Sequence, residues 1–204
     1  MNEQEGVIKY RLDFEPGPPP GEGLEHLKVC RAILHGLGMI GQRPDLYGGY
    51  GYGNLSQRTE AGLFVISASQ TGHLEALEQR HFTRVLEADV AANRVRARGP
   101  LPPSSEALTH AMIYRLDPAI ACVLHVHEHR LWRYGLNAGL PRTDATVAYG
   151  TPQMARAVEL GFRGGDLAGK RIVFLAGHED GVIAFGDSIS SALGVLLYHW
   201  VASR

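Results

Sequence analysis

The sequence of 204 residues is poor in cysteine, has no long apolar run and carries no excess of charge of either sign. Its two cysteines, Cys30 and Cys122, lie far apart in apolar segments, so we expect free, buried thiols in a reducing compartment and no disulfide framework. No apolar stretch approaches the roughly 20 residues that a membrane-spanning helix requires. The formal net charge is -1 and like charges are dispersed, which argues against binding to nucleic acid or to an anionic membrane.

The amino terminus also lacks the basic and apolar regions of a secretory signal peptide, because residues 2–5 are polar or acidic. With 45% hydrophobic residues, the chain is long enough to bury one substantial core. We therefore expect a cytoplasmic protein with a single domain over residues 23–204. Residues 1–22 are predicted to form an N-terminal extension that contains one short strand and a proline-rich, extended link.

Short hydrophobic segments with helical or strand periodicity alternate along the rest of the chain. The patterns predict helices over about residues 22–37, 104–116, 152–163 and 189–200. They predict strands at about residues 6–14, 62–66, 82–88, 94–98, 121–127, 170–175 and 181–185. The first helix is expected to bury an apolar face of Leu24, Leu27, Ile33, Leu34 and Leu37. This order of elements predicts an α/β fold, a three-layer α/β/α sandwich on a largely antiparallel central sheet.

Two histidines follow the apolar run that begins at Ala121. In a strand, residues two positions apart lie on one face, so His125 and His127 are predicted to project together. Such a pair can hold a metal ion if a third ligand comes from elsewhere, or it can be a hydrogen-bonded pair in the core. The strand alone leaves both interpretations open.

Five segments, in this order and with comparable gaps, resemble the class II aldolase/adducin family over residues 23–202. These segments are Gly53-Asn-Leu-Ser-Gln-Arg58, Thr71-Gly72, Pro103-Ser-Ser-Glu106, His125-Val-His127 and Gly177-His178. The resemblance implies a divalent metal ion, usually Zn2+, with Mn2+ or Co2+ as alternatives, held by His125, His127 and His178. Three imidazole ligands leave coordination positions open, which is typical of catalytic rather than structural zinc.

The resemblance also implies roles for residues around the metal. Glu106 is similar to the family's acid/base carboxylate, although a glutamate at a helix start can also simply interact with the helix dipole. Five further residues correspond to the family's phosphate pocket, with simple turn and cap roles as the alternative: Asn54, Thr71, Gly72, Ser104 and Ser105.

The function implied is a metal-dependent aldehyde-lyase of carbohydrate metabolism, a homotetramer. It would act on a small hydroxy-carbonyl compound, such as a sugar phosphate, through a metal-stabilised enediolate. The alternatives are an epimerase, dehydratase or decarboxylase that uses the same site, and a non-catalytic, adducin-like binding module.

The chain departs from the family pattern in two places. The segment from Glu128 to Gly150 is short and lacks a counterpart of the tyrosine that protonates the leaving group, although it contains Tyr134 and Tyr149. The third histidine is followed by Glu179 and Asp180 instead of glycine, so a carboxylate could lie near the metal. Other neighbours have open roles, either near the site or in ordinary packing: Tyr47, Tyr50, Tyr52, His110 and His129.

Overall fold

An eight-stranded sheet forms the middle layer of the protein in a computed structural model, which describes residues 7–21, 23–59, 64–148 and 151–204. The strands are β1 Arg11–Pro16, β2 Gly41–Gln42, β3 Gly51–Tyr52, β4 Asn54–Arg58, β5 Phe64–Ser67, β6 Phe82–Asp89, β7 Arg94–Gly99, β8 Cys122–His127, β9 Ile172–Phe174 and β10 Gly181–Gly186. The helices are α1 Glu25–Gly36, α2 Ala107–Leu116, α3 His129–Asn137, α4 Pro152–Arg163, α5 Asp166–Lys170 and α6 Ile189–Ala202.

The sheet has the order β1-β7-β6-β5-β4-β8-β10-β9, and β2 and β3 form a separate two-stranded ladder. Neighbouring strands of the sheet run antiparallel, except that β1 pairs in parallel with β7. Strand β8 lies inside the sheet between β4 and β10 and is buried along its whole length. The histidine strand therefore has backbone partners on both sides, which fix the direction of its side chains.

Helices cover both faces of this sheet. Helices α2 and α4 pack over one face, in a core that includes Leu108, Met112 and Val158. Helices α1, α3 and α6 pack over the other face, where Leu27, Leu131 and Leu196 are buried. The prediction of a three-layer α/β/α sandwich on a largely antiparallel sheet is confirmed.

The predicted inward face of α1 is partly wrong. Ile33 and Leu37 are 43% and 39% exposed, whereas Cys30 and Arg31 are buried beside Leu27. An arginine can occupy this core position because its guanidinium finds backbone carbonyl oxygens there.

Several boundaries also differ from the predicted ones. Strand β1 begins at residue 11 and continues to Pro16, and it joins the main sheet from within the predicted N-terminal extension. Helices α3 and α5 were not predicted. The predicted strands at 6–14 and 62–66 each begin outside the described residues. No helix in the described part of the chain is long and apolar enough to cross a membrane.

Candidate metal centre and anion pocket

The side chains of His125 and His127 point to the same side of β8, as their spacing predicts. Their Nε2 atoms lie 3.2 Å apart, and both residues are buried. The His125 Nδ1 atom lies 3.2 Å from the carbonyl oxygen of Val182 on the neighbouring strand. Because a carbonyl oxygen only accepts, this hydrogen bond places the proton on Nδ1 and leaves the Nε2 lone pair free to face His127.

The third histidine, His178, lies in the turn between β9 and β10. The turn is tight, since His178 N–H donates to the Leu175 carbonyl and Gly181 N–H donates to the His178 carbonyl. A side chain at Gly177 would clash with the carbonyl oxygen of Val147, so only glycine allows the turn to pack this closely. The rings of His125 and His178 have centroids 5.2 Å apart. The turn therefore brings a third imidazole to the pair on β8.

These three histidines fit a metal ion. One nitrogen from each residue lies within 4.8 Å of the others. Two imidazole nitrogens on a tetrahedral zinc ion are about 3.3 Å apart, from Zn–N distances of about 2.0–2.1 Å. The distance between the His125 and His127 Nε2 atoms is thus close to that of two ligands of one ion.

Burial also keeps the imidazoles of His125 and His127 in the form that binds metal. Desolvation, followed by the nearby imidazole of His178, holds the pKa of His125 and His127 well below the ordinary histidine range. Both rings are therefore neutral near pH 7, and neutral imidazole is the ligand form.

Glu106 lies next to this cluster, immediately before α2. Its Oε1 atom is 3.8 Å from His178 Nδ1, and the residue is only 1% exposed. Glu106 occupies the N-cap position of α2, but its side chain makes no capping hydrogen bond. The position of its carboxylate beside His178 favours the acid/base interpretation over a simple interaction with the helix dipole.

The five residues expected to bind an anion surround one pocket of about 30 Å³, which is about the space of two or three water molecules. They are Asn54, Thr71, Gly72, Ser104 and Ser105. Asn54 Oδ1 is buried and has no hydrogen-bond partner among the described residues. Thr71 Oγ1 donates its proton to the Ala68 carbonyl, and a side chain at Gly72 would clash with the Gly41 carbonyl oxygen. Thr71 and Gly72 thus shape the lining of the anion pocket, while Asn54 Oδ1 can still accept a hydrogen bond.

Two residues that the sequence patterns did not assign to the site support this pocket. The buried guanidinium of Arg31 donates to the carbonyl oxygens of Thr71, Gly72 and Glu75. Burial lowers the pKa of Arg31 to about 10, so the group stays charged near pH 7. Tyr10, from the N-terminal segment, donates to the Ser104 carbonyl at 2.8 Å. The turn at 71–72 and the serine pair are therefore each fixed by a distant side chain.

The segment of residues 41–53, which is rich in glycine and tyrosine, also reaches the histidine cluster. The ring of Tyr47 lies 4.8 Å from that of His127, and the ring of Tyr52 lies 5.7 Å away. Tyr47 OH donates to Asp180 Oδ2 at 2.7 Å, and His129 Nδ1 lies 2.8 Å from Asp180 Oδ1. Asp180 is thus near the histidine cluster, with both carboxylate oxygens engaged by other residues.

Other candidates lie away from the cluster. Tyr134 packs on the α3–α6 side, where its ring centroid is 6.4 Å from that of His199. Tyr149 lies outside the described residues. The His110 Nδ1 atom bonds Ser56 Oγ at 2.7 Å, so packing and hydrogen bonding in the core account for this histidine.

Comparisons with known proteins agree with this architecture. Solved structures of similar fold include YgbL from Klebsiella pneumoniae, for which an aldolase, epimerase or decarboxylase activity has been suggested (20% identity, TM-score 0.65, covering 88% of this chain and 86% of that chain). They also include L-fuculose-1-phosphate aldolase from Thermus thermophilus (20% identity, TM-score 0.59, covering 86% and 93%) and a sugar-phosphate aldolase from Thermotoga maritima (15% identity, TM-score 0.64, covering 87% and 90%).

The sequence itself gives the more specific assignment. Comparison with curated protein sequences finds no significant match. Residues 47–200 match the family model described as Class II Aldolase and Adducin N-terminal domain. This match covers more than half of the chain and includes the three histidines, Glu106 and the residues of the anion pocket. The chain therefore belongs to the class II aldolase/adducin family.

Proposed function

We propose that the protein is a divalent-metal-dependent lyase of the class II aldolase type, acting on a small hydroxy-carbonyl compound. The observation that carries this proposal is the Glu106 carboxylate, buried 3.8 Å from His178 and beside a cluster of three histidines that suits a metal ion. A carboxylate next to a Lewis acid can take a proton from, and return it to, a carbon atom beside a carbonyl group.

The histidines and Glu106 have different roles in this proposal, metal binding and proton transfer. A divalent ion held at the histidine cluster, most simply Zn2+ with Mn2+ or Co2+ as alternatives, would supply Lewis acidity that stabilises negative charge on the substrate's hydroxyl and carbonyl oxygens, as an enediolate requires. His125, His127 and His178 hold it through neutral imidazole nitrogens. Glu106 moves the proton, and its burial keeps bulk water away from that carboxylate.

The neighbouring pocket supplies the second anchor for the substrate. Asn54 on β4 pairs directly with His125 on β8, so the pocket and the histidine cluster are adjacent along the sheet. Ser104 and Ser105 line the same pocket just before Glu106. We propose that a phosphate or carboxylate group binds there while the hydroxy-carbonyl part of the same molecule reaches the histidines.

The alternatives are of two kinds, a different reaction at the same site or binding without catalysis. Epimerisation, dehydration and decarboxylation also use a carbanion stabilised next to a carbonyl, so the same residues would serve them. An adducin-like binding module would need no such chemistry. The enzyme is favoured over that module because the Glu106 carboxylate lies 3.8 Å from His178, where it can move a proton of a substrate bound at the histidine cluster.

We further propose a cytoplasmic homo-oligomer, with the tetramer of the family as the expected form. Free, buried Cys30 and Cys122 support a reducing compartment.

The outward side of α1 is apolar, with Val29, Ile33 and Leu37 exposed at four-residue spacing. Helix α1 contacts α6, where Tyr198 and Val201 are 71% and 66% exposed. Such surfaces suit contact with another subunit. A monomer in light scattering would contradict this assembly.

The lyase proposal is tested by screening metal-loaded protein against sugar phosphates and hydroxy-keto acids. The wild type is expected to cleave at least one compound. Glu106→Gln keeps the size of the side chain but removes the base, so it should retain metal and lose about 10²- to 10⁴-fold in turnover. The matched control is Glu87→Gln, on the exposed side of β6, which should behave as wild type. Unchanged aldol cleavage in Glu106→Gln would contradict the assigned role.

A further inference from the structure

The carboxylate of Asp180 joins three separate segments at the edge of the histidine cluster. Its Oδ2 atom accepts a hydrogen bond from Tyr47 OH at 2.7 Å, and its Oδ1 atom lies 2.8 Å from His129 Nδ1. Tyr47 lies between β2 and β3, His129 begins α3, and Asp180 follows His178 in the turn before β10. Asp180 itself is 8% exposed, whereas the His129 side chain is 62% exposed, so the carboxylate is buried while its histidine partner borders the solvent.

Tyr47 extends across one side of the cluster. Its ring meets that of His127 edge-on, with centroids 4.8 Å apart and an interplanar angle of 71°. Its hydroxyl group reaches the turn that carries His178. Tyr52 packs against Tyr47 at a centroid distance of 5.0 Å, and its ring lies 5.7 Å from that of His127. The Tyr47 ring therefore forms a wall between the strand and the turn that supply the candidate ligands.

The backbone at both ends of the hydrogen bond is unusual. Tyr47 and Asp180 have φ angles of +47° and +62°, in the left-handed region that non-glycine residues seldom adopt. Gly48 and Gly49, which follow Tyr47, share this conformation. A glycine would adopt it without strain, so the tyrosine contributes its side chain at the expense of the local backbone.

We propose that Tyr47 determines the size of the substrate by forming this wall, and that Asp180, with His129 behind it, is the positioning residue that holds the ring in place. The inference rests on the proposed function, because it takes the histidine cluster to hold a metal ion. It narrows the substrate class to hydroxy-carbonyl compounds whose chelating oxygens carry only a small group on the side of His127.

Two hydroxamates test the wall without knowledge of the natural substrate. Acetohydroxamate and benzohydroxamate chelate through the same two oxygens but carry a methyl or a phenyl group. Binding of either compound should change the visible spectrum of Co2+-loaded protein. Wild type should bind acetohydroxamate at least about tenfold more tightly than benzohydroxamate. Tyr47→Asn removes the ring while retaining a residue that tolerates left-handed backbone. It should tighten benzohydroxamate binding by about tenfold or more and change acetohydroxamate binding by less than about threefold.

Matched variants separate the wall from general effects on the loop. Tyr50→Asn changes a tyrosine of the same loop that makes no ring contact with the described histidines, and it should leave both affinities unchanged. Tyr47→Phe keeps the ring but loses the hydrogen bond to Asp180. This variant should therefore bind benzohydroxamate at least about threefold more tightly than wild type does. Asp180→Asn added to Tyr47→Asn should have no further effect, because Asp180 acts through the ring.

The possible failures are distinguishable. If wild type binds Co2+ and both hydroxamates, but Tyr47→Asn leaves their affinity ratio unchanged, the wall is wrong and the proposed function stands. If Asp180→Asn alters the ratio of the two affinities equally in wild type and in Tyr47→Asn, the positioning role of Asp180 is wrong. If wild type shows no Co2+ spectrum at one equivalent, both the wall and the metal-dependent function are overturned.

Discussion

His178 Nδ1 lies 3.8 Å from Glu106 Oε1, although the two residues come from different layers of the fold. Glu106 precedes α2 on one face of the sheet, whereas His178 lies in the turn between two strands. Both side chains are almost fully buried. This proximity links the candidate metal centre to a carboxylate, and the serines just before Glu106 link it to the anion pocket.

The anion pocket should depend on Ser105. We expect inorganic phosphate, or malonate if the pocket takes a carboxylate, to bind in calorimetric titrations. Ser105→Ala removes a hydroxyl donor to the anion and should weaken binding by about tenfold or more, since hydrogen bonds to charged groups contribute about 1.5–3 kcal/mol. Ser190→Ala, on the exposed side of α6, is the control. Equal affinities in wild type and Ser105→Ala would exclude Ser105 as an anion ligand.

Arg31 should stabilise the same pocket through its hydrogen bonds to the backbone of residues 71–75. Arg31→Met leaves the carbonyl oxygens of Thr71, Gly72 and Glu75 without their charged donor, so the free energy of unfolding should fall by about 3 kcal/mol. Phosphate affinity should fall with it, while metal content stays unchanged. Urea unfolding measures the first effect, with the exposed Arg84→Met as control. Unaltered stability in Arg31→Met would show that these hydrogen bonds contribute little.

Acid should destabilise the metal-free protein partly through His110. Burial lowers the pKa of His110 from its ordinary 6.5 to about 3. Between these values the unfolded chain binds a proton at this residue and the folded chain does not, so stability falls as pH decreases. The expected contribution is about 1.4 kcal/mol per pH unit below pH 6.5.

His110→Asn tests this contribution, because it removes the titrating ring and keeps a polar partner for Ser56. Urea unfolding of both proteins between pH 7 and pH 5 should give a shallower dependence on pH for the variant. Parallel curves for the two proteins would mean that His110 does not contribute.

The sequence patterns predicted what is local and periodic. The two-residue spacing of His125 and His127 predicted their shared direction. The Pro-Pro-Ser-Ser segment predicted a helix from about residue 104 with Glu106 in its first turn, whereas α2 begins at Ala107 and Glu106 is its N-cap residue. The family resemblance added His178, which no periodicity connects to β8. These features could be predicted from the sequence because each depends on a single strand, helix start or recognisable motif.

What it did not predict depends on contacts between distant segments. The link from Tyr47 to Asp180 needs two left-handed residues, which no hydrophobic pattern signals. Helix α3 contains Gly135, a poor helix former, yet a larger residue there would clash with the ring of Phe174. The inward position of Arg31 had a signal, since it lies four residues after buried Leu27 on the same face.

Metal content of purified protein tests the central claim most directly. We expect one equivalent of zinc or another divalent transition metal per chain by elemental analysis, either as purified or after zinc loading and removal of excess. His127→Ala should lose it, whereas His199→Ala, which changes a buried histidine outside the cluster, should retain it. Circular dichroism checks that both variants are folded. Wild-type protein without stoichiometric metal, or His127→Ala with full metal content, would contradict the assignment of this metal centre.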